Sequence, residues 1–138
     1  PPLAAASLGA SSWPLGLASS SNREVIDLVL DRTGLAEHFS ATVSSEEVTA
    51  GKPAPDVYLE ACDQLGVQPH AAAAVEDSHN GLRSAHAAGL RVIAIPNEHY
   101  PPDSDALALA DVVIDRIADL TPESIGQRKP RAPKGESG

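Results

Sequence analysis

Short apolar runs alternate with stretches of helical spacing along most of this chain. The run PLGLAS predicts a short buried strand over residues 15–18 that leads into hydroxyl side chains. In NREVIDLVLDRTG, positions Ile26, Val29, Leu30 and Thr33 recur at the spacing of one helical face. Ser21 or Asn22 is placed to cap that helix at its start, and Gly34 at its end. ATVSS predicts a weak second strand. Pro55 suits the first turn of a second helix, which carries Val57, Leu59, Ala61, Cys62 and Leu65 and stops at Gly66. AAAAV predicts a third strand, HNGLRSAHAAG a third helix closed by Gly89, RVIAI a fourth strand and ADVVID a fifth.

Strands that alternate with helices imply a parallel sheet covered on both faces. The predicted fold class is therefore α/β, a Rossmann-like doubly wound parallel sheet. A chain of 138 residues is long enough for one domain with a real core and too short for two comfortable ones. Large side chains are scarce, with one Trp, one Phe, two Tyr and no Met, so the core must rest on Val, Ile, Leu and Ala. Trp13, Tyr58 and Cys62 are read as packing groups.

Charge narrows the function classes. A net charge of −9 disfavours a nucleic-acid partner, because phosphate backbones are bound by clustered Lys and Arg. No apolar run approaches the ~18 residues of a membrane-spanning helix, so no membrane partner is expected. The single cysteine excludes an internal disulfide and is compatible with a reducing compartment, and the acidic excess fits a cytoplasmic protein. The five histidines show no metal-ligand spacing. Residues 1–22 carry no charged side chain, whereas the tail RKPRAPKGESG is basic and rich in Pro and Gly, the composition of a disordered segment over residues 127–138.

In an open parallel sheet, ligands bind beyond the carboxyl ends of the strands. The first strand leads into Ser19, Ser20 and Ser21, the loop after the second into Lys52, and the third into Glu76 and Asp77. A hydroxyl, an ammonium and two carboxylates would converge at one rim. A transferring phosphoryl group needs donors on its oxygens and a cation to offset its charge, which Ser19 and Lys52 supply. Glu76 and Asp77 are hard oxygen ligands suited to Mg²⁺. Pro53 restricts the lysine loop and makes Lys52–Pro53 a candidate cis peptide.

Taken in order, Ser19 after an apolar strand, then GKPAPDVY, then VEDSHNGLRSAHAAG, resemble the haloacid dehalogenase superfamily of phosphohydrolases. The likeness covers about residues 13–120 and points to the beta-phosphoglucomutase and phosphoglycolate phosphatase branch. It implies a Mg²⁺-dependent phosphatase acting through a phosphoaspartate on a small phosphorylated metabolite, such as a sugar phosphate. Ser19 would bind the transferring phosphate, and Lys52 would bridge nucleophile and phosphoryl group. Asp77 would ligate Mg²⁺, with Glu76 ligating it directly or through water. Ser20, Ser21 and Asn22 would lie near the substrate.

The family's nucleophile, the first Asp of an Asp-x-Asp-x-Thr motif on a central strand, has no counterpart ahead of Ser19. Asp103-Ser-Asp105 follows HYPP rather than an apolar strand and reads as an exposed turn. The helical cap of the family is absent as well. The expectation is thus an incomplete core over residues 13–126, with residues 1–12 an irregular remnant of a missing amino-terminal part, which another chain could supply as partner. The serine strand and the Glu-Asp strand, which flank the nucleophile strand in the family, must then pair directly or leave open edges. A phosphomutase and a non-catalytic or partner-dependent remnant stand as alternatives. A receiver-type phosphoacceptor uses similar residues in the opposite order.

Overall fold

The structure, a computed structural model, describes residues 13–121 and residue 123. The expectations for residues 1–12 and for the basic tail lie outside the described residues. Strand β1 (Gly16–Ser19) is followed by helix α1 (Arg23–Thr33) and strand β2 (Ala41–Ser44). Helix α2 (Asp56–Leu65) leads to strand β3 (Ala73–Glu76), helix α3 (His79–Ala88) and strand β4 (Arg91–Ala94). A short helix α4 (Ser104–Leu107) and strand β5 (Val112–Val113) complete the order.

Glycine ends the three long helices for a stereochemical reason. Gly34, Gly66 and Gly89 all take left-handed backbone angles, with φ of 70°, 73° and 89°, which side chains resist. Asn22 caps α1 by accepting from the Val25 amide, and Ser78 caps α3 by accepting from Gly81. Pro55 sits at the cap position of α2, just outside the helix rather than within its first turn.

All strand pairings are parallel, but they form two sheets rather than one: β1–β2, and β3–β4–β5. Each of β1 and β3 keeps one edge on which no described strand pairs. Of the two outcomes expected for an incomplete core, open edges rather than direct pairing is observed. Helix α2 spans the division, packing on β1, on β2 and on α3, which in turn packs on β3 and β4.

The core follows the strand alternation. In β4, Val92 and Ala94 join the main apolar cluster with Val43, Val57, Leu82 and Ala85, while Ile93 points the other way. Ile93 meets Ile114 and Leu120, with Leu15 and Val75 against them. Burial on both faces explains why Val92, Ile93 and Ala94 run apolar without a break. Helix α1 departs from its predicted face: Ile26 and Leu30 are buried, but Val29 and Thr33 are exposed. Leu59 is exposed on α2, where Tyr58 is buried instead. Cys62 is buried as expected, and burial raises its thiol pKa, as befits an inert core group. Trp13, by contrast, is 42% exposed.

Candidate active site at the strand ends

Lys52 lies in the loop after β2, between Gly51 and a cis-bonded Pro53, as the sequence suggested. Its ammonium reaches Glu76, the last residue of β3, with Nζ 2.6 Å from Oε2. A side chain that starts past the end of β2 therefore touches the end of β3, which places the carboxyl ends of both sheets on one rim. The side chains of both residues are at most 10% exposed, so the pair sits largely out of water. Such a pair holds only where further hydrogen bonds satisfy its remaining polar atoms.

Tyr58 supplies one of these bonds. Its hydroxyl donates to the same Oε2 of Glu76, and the Lys52 ammonium stands 5.2 Å from the centre of its ring. Burial, with the negative charge of Glu76, pushes the Tyr58 hydroxyl well above its ordinary pKa, so it stays protonated and donates. The sequence reading assigned Tyr58 to packing alone. It packs through its ring and anchors Glu76 through its hydroxyl.

Gly81, on the first turn of α3, completes the pocket around the carboxylate. A β-carbon there would overlap the Glu76 carboxyl group. Glycine is required for close approach, not for an unusual backbone angle. The sequence hint was a glycine in the first turn of a predicted helix, where it is unfavourable unless something needs the room.

The serine loop is built by a separate set of contacts. Ser19 closes β1, and its Oγ accepts from the Ser21 amide at 3.0 Å, which leaves its own hydrogen free to donate. The segment after β2 clamps this loop. Ser44 Oγ donates to the Ser21 carbonyl at 2.8 Å and Ser45 Oγ to the Ser20 carbonyl at 2.9 Å. The Arg23 amide donates to Glu46. The Arg23 guanidinium forks onto both carboxyl oxygens of Glu47 and also reaches Thr42 and Asp27. These hydrogen bonds, with that from the Ser44 amide, hold the Glu47 carboxyl down at about 2 from an ordinary 4.5. Ser45 also lies against Gly51, so the serine loop and the lysine loop share a neighbour.

The remaining predicted residues divide. Asp77 is exposed, with its carbonyl taking the Asn97 amide and its carboxylate 3.5 Å from the Asn97 side chain, and so is open to a ligand. Asn22 caps α1 through its side-chain oxygen, which accepts from the Val25 amide at 2.9 Å. Among the described residues, no group of three or more His, Cys, Asp or Glu gathers as a metal site. Asp103 is exposed as expected, but it caps α4 and pairs with His79 Nδ1 at 3.1 Å rather than standing in a bare turn.

The stretch that carries these groups matches a family model. The model for haloacid dehalogenase-like hydrolases matches residues 4–95, which include Ser19, Lys52, Glu76 and Asp77. This chain belongs to that family. Hexitol phosphatase B of Escherichia coli is 36% identical over 111 residues, covering 80% of this chain and 50% of the relative. Protein CbbY of Rhodobacter capsulatus is 40% identical over 102 residues, 72% of this chain and 45% of the relative. The crystal structure of CbbY from Rhodobacter sphaeroides in complex with phosphate superposes with a TM-score of 0.80 at 30% identity, covering 89% of this chain and 56% of that one. The chain thus spans about half the length of these relatives. No helix among the described residues is long and apolar enough to cross a membrane.

Two outcomes follow from these contacts. Glycine to alanine inside a helix ordinarily gains about 1 kcal/mol. Gly81→Ala should instead lower the urea-unfolding free energy by about 1–3 kcal/mol, because Glu76 is anchored and cannot turn aside; a gain in stability would show that the carboxylate moves freely. Glu47 contributes stability above pH 4.5 that is lost as pH falls toward about 2, its carboxyl being held low only in the folded chain. Glu47→Gln should flatten the acid limb of stability in that window, and an unchanged limb would remove the clamp from the acid response.

Proposed function

We propose that this chain provides the carboxyl-terminal part of a phosphatase that acts through a phosphoaspartate on a small phosphomonoester, such as a sugar phosphate. The observation that carries this reading is the Lys52–Glu76 pair at 2.6 Å, which joins the carboxyl ends of strands from two sheets. It supports the reading by holding a cation at the rim where the phosphoryl group of such an ester would bind. The names of the relatives, a hexitol phosphatase among them, support the substrate class.

In this reading each group has one task. Ser19 donates its free hydroxyl hydrogen to a phosphoryl oxygen, with the clamp from Ser44, Ser45 and Arg23 keeping its loop in place. Ser20 and Ser21 border the same anion. Lys52 offsets negative charge on the phosphoryl oxygens and on the attacking carboxylate, most needed as charge builds in the transition state. Asp77, open to solvent, and Glu76 beside it would hold Mg²⁺, an ion that takes one or two carboxylates and fills its other positions with water and phosphate. That ion would neutralise phosphoryl charge. The attacking carboxylate would come from an aspartate at the end of a strand set between β1 and β3, each of which has an edge on which no described strand pairs. No aspartate precedes Ser19 in the sequence.

The 138-residue chain, purified and supplied with Mg²⁺ and p-nitrophenyl phosphate, should show no turnover. The same chain joined to an aspartate-bearing strand should turn the ester over, and Lys52→Ala should lower that rate by about 100- to 1,000-fold with the fold intact. Asp77→Asn should shift its Mg²⁺ titration to higher concentration. Turnover indifferent to Lys52 would overturn the reading.

A further inference from the structure

We propose that Tyr58 is a positioning residue that sets how freely Lys52 passes from Glu76 to a bound phosphoryl oxygen. This rests on the reading of Lys52 as the phosphate-facing cation, and it adds a residue to which that reading gives no part.

The geometry poses the problem. Lys52 and Tyr58 both donate to one oxygen, Oε2 of Glu76, and the Glu76 carboxyl is packed against Gly81 where no side chain fits. Glu76 is 8% exposed, so little water is at hand to replace a partner that leaves. A lysine that turns toward a phosphoryl anion withdraws positive charge from that oxygen. In the metal-free chain, with no second donor, the buried carboxylate would be left unpaired, which is costly enough to keep the lysine where it is. The Tyr58 hydroxyl stays behind and keeps Glu76 partnered. Its ring face also lies beside the ammonium, 5.2 Å from the ring centre, and gives it a favourable surface there. Tyr58 is 8% exposed on α2, where helix packing on β1, β2 and α3 holds it still. It touches neither substrate nor reacting atoms, and acts through Glu76 and Lys52.

A double-mutant cycle on the 138-residue chain tests this, with inorganic phosphate as the probe and its dissociation constant read by NMR on the folded species. Tyr58→Phe should weaken phosphate binding about tenfold, the effect of losing one hydrogen bond to a charged group. In a Glu76→Gln background the same change should alter affinity less than about twofold, since no buried charge remains to be left behind. A Tyr58 that serves only as packing would lower the urea midpoint without moving phosphate affinity in either background. Equal effects in the two backgrounds, or none in the first, overturn the proposal while leaving Lys52 as the phosphate-facing cation. If Tyr58→Phe does not fold, 4-aminophenylalanine at position 58 keeps a donor, and phosphate affinity below wild type in that variant overturns it equally. A wild-type chain that binds no phosphate removes the underlying reading, and this inference with it.

Discussion

A carboxylate taken out of water must keep its donors, and Glu76 is that carboxylate here. It receives an ammonium from the loop after β2 and a hydroxyl from α2, and it leans on the first turn of α3. Three elements that are distant in sequence are therefore bound by one side chain at the end of β3. The contact is also the one that brings the lysine loop of one sheet to the strand end of the other. Losing both donors would strand charge in a buried site, so the arrangement holds as a set rather than as separate bonds.

Around this point the two halves of the fold behave differently. In the β3–β4–β5 sheet the central strand β4 is buried on both faces, with Val92, Ile93 and Ala94 all fully enclosed. The β1–β2 pair depends on α2 and on polar contacts among Ser44, Ser45, Glu46, Glu47 and the loop from Ser20 to Arg23. The edges of β1 and β3 on which no described strand pairs are the sites where a further strand would find hydrogen-bond partners. The groups proposed to face phosphate thus lie around a division between the sheets, with donors on one side and carboxylates on the other.

Much of this was legible in the sequence because local chemistry decides it. Glycines at the ends of periodic stretches marked Gly34, Gly66 and Gly89, where left-handed backbone leaves little choice. Residues that end apolar runs marked the rim, and Lys52 and Glu76 do meet there. What periodicity could not show depends on packing across the chain. Val29 fits the predicted face of α1 but is exposed, because the core contact of that helix is narrow and is met by Ile26 and Leu30. Nothing near Tyr58 in sequence discloses its hydroxyl partner, which lies 18 residues away. The fork of Arg23 onto Glu47 likewise spans 24 residues. Splitting of the strands into two sheets follows from which edges find a neighbour, a property of the whole set of strands rather than of any one.

If the serine loop and the lysine serve one anion, a single binding event must reach both. Titrating the ¹⁵N-labelled chain with inorganic phosphate measures this, by following the Ser19, Ser20 and Ser21 amides and the Lys52 ammonium together. The account predicts that all four signals move along one saturation curve. Signals that saturate at different concentrations, or a serine loop that moves while Lys52 stays unchanged, would contradict it.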